Sequence, residues 1–128
     1  MRAYIVERSE IIRSRLALLL AEMEWLELVG QAGSIKDTTK NIMQLQPDVM
    51  LVDIKLSDGN GLDMLESLQA QGLKTRAIVM TFDPHPQFRK RAMELGTIHF
   101  IDKAKELGNI RLILGQMIAE QHITLKAA

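Results

Sequence analysis

Four short apolar runs along the chain are each followed by a polar residue whose side chain could do chemistry. These residues are Glu7, Asp53, Thr81 and Lys103, after apolar runs at 3–6, 49–52, 77–80 and 98–101. Such runs are typical of buried strands in a parallel sheet. The carboxyl ends of the strands in an open α/β sheet border the crevice where ligands bind. We therefore expect two carboxylates, a hydroxyl and an ammonium to meet there, where a carboxylate could act as a nucleophile or hold a hard cation.

Apolar runs alternate with helical stretches five times along the chain. The predicted strands cover 3–6, 27–32, 49–52, 77–81 and 98–101, and the predicted helices lie near 9–23, 35–45, 61–71, 86–95 and 107–121. Strands that alternate with helices indicate right-handed βαβ units around a parallel sheet. We therefore predict one α/β domain over residues 1–121, followed by a C-terminal tail at 122–128 that frays.

Local signals support these boundaries. Ser9 is suited to cap the first helix, because its hydroxyl can accept a hydrogen bond from a free backbone amide. Gly72 and Gly96 stand where the third and fourth helices should stop, since glycine tolerates the left-handed conformation after a helix. Trp25 is expected to pack where the first helix meets the second strand.

Composition sets the broad class of protein. The chain has 128 residues, which suits one domain, and its 16 basic and 16 acidic residues give a formal net charge of zero. That balance argues against direct binding of nucleic acid or of an anionic membrane by this chain. No cysteine is present, so disulfides and thiolate metal sites are excluded. No apolar run approaches the ~20 residues that span a bilayer, and an early first strand leaves no room for a signal peptide. We therefore expect a soluble cytoplasmic protein.

Four segments together resemble the receiver domain of two-component response regulators. They lie, in the family's order and at its usual separations, at 47–53, 59–65, 79–81 and 100–103. The resemblance extends from Ala3 to about Ile118. It implies a flavodoxin-like fold, which is a doubly wound (βα)5 domain with a five-stranded parallel sheet in the order 2-1-3-4-5.

The resemblance also implies roles for individual residues. Asp53 would be the phosphoacceptor, which takes a phosphoryl group from a phosphohistidine on a sensor histidine kinase or a phosphotransfer protein. Lys103 would neutralise the transferring oxygens, while Thr81 and Phe100 would act as switch residues. The domain would be a signalling protein and not an enzyme, since it would at most catalyse its own phosphotransfer and dephosphorylation. The fourth helix, fifth strand and fifth helix would form its partner face, which could also serve for a homodimer.

The cation site that the resemblance implies is altered in this chain. Mg²⁺ would bind the carboxylates of Glu7 and Asp53 and the backbone carbonyl of Lys55, because it prefers oxygen ligands. The family normally has a second acid after the first strand, but Arg8 stands there. The charges of these two carboxylates, Arg8 and Lys103 sum to zero. A guanidinium ~6 Å from a dication would cost roughly 5 kcal/mol at an effective dielectric of ~20, so we expect Mg²⁺ binding to be weak or absent.

Two hypotheses follow for Arg8. In the first, the side chain swings clear and phosphotransfer proceeds with weak metal affinity. In the second, the guanidinium takes the metal position and pairs with Asp53 or Glu7. The domain would then be a pseudo-receiver, a protein-interaction or dimerisation module that acts without phosphorylation.

Other residues near the expected site should modulate access to it. Phe82 stands where the family favours a small residue, so its ring would narrow the approach to Asp53. Lys55 and Asp83 flank the implied entry for hydrolytic water, and an ion pair between them could shield an acyl phosphate, although an exposed pair contributes only ~0–1 kcal/mol.

Two rival functions fit the sequence poorly. A flavodoxin-like cofactor protein needs a phosphate-binding loop after the first strand, and residues 7–10 read Glu-Arg-Ser-Glu. A phosphatase with an aspartate nucleophile would need an acid two residues after it, where Lys55 stands.

Overall fold

A computed structural model describes the backbone of residues 1–127 and the side chains of residues 1–123. The strands are β1 (Arg2–Val6), β2 (Glu27–Ala32), β3 (Val49–Asp53), β4 (Lys55–Leu56), β5 (Gly59–Asn60), β6 (Arg76–Thr81) and β7 (His99–Asp102). The helices are α1 (Glu10–Ala21), α2 (Ile35–Thr39), α3 (Ile42–Leu45), α4 (Gly61–Ala70), α5 (Pro86–Glu94) and α6 (Asn109–Ala127). None of the helices in the described part of the chain has the length and apolar character needed to cross a membrane.

Five strands form one parallel sheet in the order β2-β1-β3-β6-β7, and β4 pairs with β5 in a separate antiparallel hairpin. Strands β6 and β7 are the fourth and fifth predicted strands, so the predicted order 2-1-3-4-5 is confirmed. The strand order reverses beside β1, and the crevice of a doubly wound sheet opens at such a point.

Helices cover both faces of the sheet, because successive strand residues point to opposite sides. Every residue of β3 is buried, as expected for the central strand of a parallel sheet. On one face the strands pack against α1 and α6, through residues that include Ile5, Leu51, Leu16 and Leu114. On the other face they pack against α4, through residues that include Met50, Val52 and Leu65. The two helical layers therefore bury the strands whose ends carry the predicted site residues.

Side-chain caps position the loops at the carboxyl edge of the sheet. The hydroxyl of Ser9 accepts a hydrogen bond from the Ile12 N–H at 3.3 Å, so the predicted cap of α1 is confirmed. The side-chain oxygen of Asn60 accepts a bond from the Leu62 N–H at 2.7 Å, at the start of α4. Each cap satisfies an amide that the first helical turn leaves without a partner.

The predicted helix over 35–45 is wrong, because the structure breaks it into α2 and α3. The hydroxyl of Thr38 donates to the Ser34 carbonyl at 2.8 Å, and the hydroxyl of Thr39 donates to the Lys36 carbonyl at 3.1 Å. Threonine has low helix propensity because it is β-branched and competes for backbone hydrogen bonds. Two in succession favour a break in the helix.

Two further predictions are wrong, one for the packing of Trp25 and one for the end of the last helix. Trp25 does not pack into the core: it is 66% exposed, has a φ of 66° and contacts the ring of His122 edge-on at 4.6 Å. The last helix does not end near residue 121 but continues to Ala127, through most of the predicted tail. No glycine or proline follows Gly115 to stop it.

Candidate functional site

The carboxyl ends of β1, β3, β6 and β7 lie side by side, and their register brings the predicted site residues together. Val6 pairs with Val52, Asp53 pairs with Met80, and Thr81 pairs with Asp102. A cleft of about 400 Å³ opens at this edge; its lining residues are Glu7, Arg8, Ser9, Asp53, Lys55, Thr81, Phe82, Asp83 and Lys103. Eight of these nine residues are site residues that the sequence predicts, and Ser9 is predicted only as a helix cap.

Lys103 joins the two carboxylates at the bottom of the cleft. Its Nζ lies 2.6 Å from Glu7 Oε1 and 3.2 Å from Asp53 Oδ2. The exposed fractions of the three side chains are 3% for Lys103, 1% for Glu7 and 7% for Asp53. The Lys103 N–H also donates to the Thr81 carbonyl at 2.8 Å, which ties the lysine backbone to the end of β6. Buried charges need such pairing, because their desolvation is costly.

Both carboxylate oxygens of Glu7 have donors. Oε1 accepts from Lys103, and Oε2 accepts from the Ser9 N–H at 2.9 Å. The Glu7 carbonyl accepts from Arg13 Nη1 at 2.8 Å. Glu7 therefore serves in this structure as the fixed anionic partner of Lys103.

The pKa of Asp53 is raised from its ordinary value of 3.8 to about 6, chiefly because the carboxyl is buried. The neighbouring Glu7 carboxylate contributes to this rise, while Lys103 acts in the opposite direction. A carboxyl with a pKa near 6 is mostly ionised at pH 7 and is more basic than an ordinary aspartate. Both properties suit a nucleophile.

The loop after β3 is held by Asp58, a residue that the sequence analysis does not assign to the site. The carboxylate of Asp58 accepts hydrogen bonds from the Ile35 N–H at 2.7 Å and the Lys36 N–H at 3.0 Å. These backbone bonds lower the pKa of Asp58. The Asp58-Gly59 dipeptide is a turn signal that could have revealed the β4–β5 hairpin.

Gly61 is required where α4 begins. A Cβ at this position would overlap the carbonyl oxygen of Asp53. The Gly61 N–H donates to the Ile54 carbonyl at 2.6 Å, which draws the start of α4 against the strand end. Gly61, which lies in the predicted segment 59–65, thus allows the start of α4 to pack against the backbone of Asp53.

Three consecutive residues after β6 form the opposite wall of the cleft. Thr81 Oγ1 accepts a hydrogen bond from the Asp83 N–H at 2.9 Å, and its hydroxyl lies 3.2 Å from the Asp83 carbonyl. The Phe82 ring is 59% exposed, and its centroid lies 4.5 Å from Lys103 Nζ, a cation–π distance. Asp83 Oδ2 lies 3.9 Å from Lys55 Nζ, which confirms the expected ion pair.

Arg8 lies at the mouth of the cleft with an exposed side chain. Within the described part of the chain it forms an ion pair with neither Glu7 nor Asp53. In this structure the cation paired with both carboxylates is Lys103, and the pairing of Arg8 in the second hypothesis is not formed. The guanidinium is left facing solvent.

Phe100 is not part of the cleft. It lies on β7, half-buried, and packs beside Val79 and Ala92. The guanidinium of Arg89 in α5 lies 4.7 Å from the centre of its ring. The predicted switch aromatic is thus placed between the sheet and α5, under a cationic side chain.

The residues present do not fit a tightly bound divalent cation. The cleft offers two carboxylates, both bound to Lys103, and the described residues contain no group of three or more His, Cys, Asp or Glu that could hold a metal. The remaining expected ligand is the backbone carbonyl of Lys55. Arg8 adds a positive charge at the same mouth, where it opposes a second cation.

Comparison with known proteins agrees with this geometry. Residues 3–114 match the family model described as the response regulator receiver domain. The response regulator GacA of Pseudomonas aeruginosa is 28% identical over 120 residues, which cover 94% of this chain and 56% of that protein. A protein-glutamate methylesterase/protein-glutamine glutaminase of Methylobacillus flagellatus is 32% identical over 124 residues, which cover 94% of this chain and 34% of that protein. The chain thus spans from a third to somewhat over half of the length of these relatives.

Solved structures show the same fold. The response regulator domain of Thermotoga maritima CheB superposes with a TM-score of 0.81 at 21% identity, covering 94% of both chains. The N-terminal domain of an uncharacterized protein from Wolinella succinogenes superposes with a TM-score of 0.80 at 26% identity, covering 100% of this chain and 98% of that one. Since the family model covers most of the sequence and the fold agrees throughout, the chain belongs to the response regulator receiver domain family and is a receiver domain of two-component signalling.

Proposed function

We propose that Asp53 accepts a phosphoryl group from a phosphohistidine on a sensor histidine kinase or a phosphotransfer protein. The observation that carries this proposal is the placement of Asp53 in an open cleft with Lys103 Nζ 3.2 Å from its carboxylate. The ammonium is placed to neutralise charge on a phosphoryl group as it transfers. Receiver domains are signalling modules, so the output is a change of binding partner and not a released product.

The switch would run through Thr81 and Phe100. The Thr81 hydroxyl is engaged by the Asp83 backbone, and it could exchange these bonds for a phosphoryl oxygen on Asp53. Movement of Thr81 would alter the space beside β7, where Arg89 covers the Phe100 ring at 4.7 Å. We propose that the face formed by α5, β7 and α6 binds the partner, either the kinase or a second copy of this chain.

A pseudo-receiver is the second candidate. Lys103 pairs with both Glu7 and Asp53, and Phe82 covers part of Lys103. With both carboxylates paired to Lys103, Asp53 would stay unphosphorylated, and the three charged side chains would only stabilise the fold. In that case the α5, β7 and α6 face would bind its partner without phosphorylation.

Intact-mass spectrometry with acetyl phosphate separates these two functions. The first predicts a gain of one phosphoryl group in the wild type, and none in Asp53→Asn. Asp48→Asn is a matched control, because Asp48 directly precedes β3 at the edge of the sheet opposite the cleft, where its carboxylate accepts from the Arg2 N–H. A wild type that gains no mass in any buffer would support the pseudo-receiver.

We propose that this domain makes no direct contact with nucleic acid, because its formal net charge is zero. A cytoplasmic location is proposed on the same sequence grounds, which include the lack of cysteine.

A further inference from the structure

We propose that Arg8 supplies the positive charge that a divalent cation would bring, so that Asp53 is phosphorylated without a metal. This inference rests on the proposed phosphoacceptor function of Asp53. It assigns to Arg8 a direct contact with the incoming phosphoryl group at the mouth of the cleft.

The pairing of the cations in the cleft points to Arg8. Lys103 is committed to Glu7 and Asp53, and Lys55 lies 3.9 Å from Asp83. Among the residues described around the cleft, Arg8 is the cation without an ion pair or side-chain hydrogen bond. A phosphoryl group adds negative charge beside two carboxylates that already share one ammonium, so it requires another cation. Arg8 can meet that requirement without breaking an existing contact.

The backbone that carries Arg8 is fixed on both sides. The Glu7 N–H donates to the Ala32 carbonyl at 2.9 Å, and the Ser9 N–H donates to Glu7 Oε2 at 2.9 Å. Arg13 Nη1 also holds the Glu7 carbonyl at 2.8 Å. The exposed guanidinium of Arg8 therefore extends from a rigid base beside the strand ends. A guanidinium has a planar fork of donors that matches two oxygens of a phosphoryl group.

The same feature makes the site unfavourable for a dication. Arginine is always charged at neutral pH, and it lies at the mouth through which a metal would enter. The two carboxylates are already bound by Lys103. Arg8 thus disfavours a metal in the cleft and also supplies the positive charge that the metal would otherwise bring.

The transfer of the phosphoryl group to Asp53 needs no reactant other than the phosphodonor. An Asp53 carboxylate oxygen attacks phosphorus, and the bond from phosphorus to the bridging oxygen of acetyl phosphate breaks. Its electron pair leaves with acetate, so no net proton is transferred. With a phosphohistidine donor the phosphorus–nitrogen bond breaks instead, and the imidazole gains a proton from water. Arg8 and Lys103 bind the phosphoryl oxygens throughout, which is stabilisation of developing charge by positioned donors.

The test measures the rate of labelling by acetyl phosphate in EDTA and in Mg²⁺. We expect the wild-type rates to agree within about 2-fold, and Arg8→Gln to lose about 10-fold or more in EDTA, since it removes a charged hydrogen-bond donor to the phosphoryl group. Arg8→Lys should retain part of the EDTA rate because it keeps the charge. Arg15→Gln is the matched control: Arg15 is an exposed arginine on α1 away from the cleft, and this variant should label as the wild type does.

Arg8→Asp tests whether an acidic residue at this position makes phosphorylation depend on Mg²⁺. It introduces a third carboxylate, so we expect labelling that requires Mg²⁺ and a Mg²⁺-dependent NMR shift of the Asp53 amide that the wild type lacks. A wild type that labels only with Mg²⁺ would overturn the role of Arg8 and leave Asp53 as the phosphoacceptor. A wild type that labels in neither buffer would overturn both proposals. Equal EDTA rates for wild type and Arg8→Gln would also overturn the role of Arg8.

Discussion

Lys103 and Glu7 form a buried ion pair, with Nζ 2.6 Å from Oε1 and both side chains almost fully excluded from solvent. The same ammonium lies 3.2 Å from Asp53 Oδ2. Three charges are therefore interdependent at the base of the cleft, and a change in one alters the cost of burying the others.

Lys103→Met should destabilise the fold strongly. It leaves Glu7 and Asp53 buried without their cation, which is expected to cost about 3–5 kcal/mol of the free energy of unfolding. Urea denaturation at pH 7 measures the loss. Lys55→Met is the matched control, because its pair with Asp83 is exposed and contributes ~0–1 kcal/mol. Equal losses in the two variants would contradict the structural role of Lys103.

Asp53→Asn should become more stable relative to the wild type as the pH rises. The pKa of Asp53 is about 6 in the folded protein against an ordinary 3.8. Between these values the folded state holds a proton that the unfolded state has released, so ionisation lowers wild-type stability as the pH increases. The change in the stability difference should reach roughly 1–3 kcal/mol, since one pKa unit corresponds to ~1.4 kcal/mol.

Thermal or urea unfolding from pH 4 to pH 7.5, with EDTA present, measures this difference. The stability of Asp53→Asn relative to the wild type should rise mainly below about pH 6 to 7 and stay constant above that range. A difference that stays constant, or that shrinks as the pH rises, would contradict the raised pKa of Asp53.

Gly61→Ala should destabilise the protein by roughly 1–3 kcal/mol, the usual range for overpacking. The added Cβ would overlap the Asp53 carbonyl oxygen, so the start of α4 must move away from the strand end. Urea denaturation and the NMR shift of the Asp53 amide report the two effects. Gly115→Ala is the control: nothing lies within 4 Å of a Cβ there, and alanine in a helix should stabilise by about 0.5–1 kcal/mol. Gly61→Ala with no loss of stability would refute the close approach.

Phe82→Ala should shorten the lifetime of the acyl phosphate on Asp53. The Phe82 ring covers Lys103 Nζ at 4.5 Å, and its removal loosens the ammonium and admits water. A cation–π contact at a partly exposed site contributes ~0.5–1 kcal/mol, which corresponds to a change in hydrolysis rate of about 2- to 5-fold. Decay of the phosphorylated mass after removal of the donor measures the lifetime. Phe82→Tyr keeps the ring and should decay as the wild type does; similar rapid decay in both variants would refute the shielding role.

The amino-acid pattern alone is sufficient to predict the fold and most of the residues that line the cleft. Continuous apolar runs and the 3.6-residue apolar period are local properties, so they predict the strands and most helices. Four apolar runs that each end in a polar residue were enough to bring Glu7, Asp53, Thr81 and Lys103 to one edge, because parallel strands share that edge. The two threonines that break α2 from α3 could have been recognised in the same way, since their effect is local.

The pairing of charges in the cleft depends on three-dimensional packing. Arg8 and Lys103 are both near Glu7 and Asp53 in the cleft, and the chain sequence contains no rule for which cation binds them. Which cation pairs with the carboxylates depends on how deeply it is buried. Lys103 lies beneath the Phe82 ring, and its backbone N–H donates to the Thr81 carbonyl. Arg8 is exposed at the mouth of the cleft. The pKa of Asp53 likewise follows from burial and from contacts between residues far apart in the chain. These are properties of three-dimensional packing, which a local pattern does not encode.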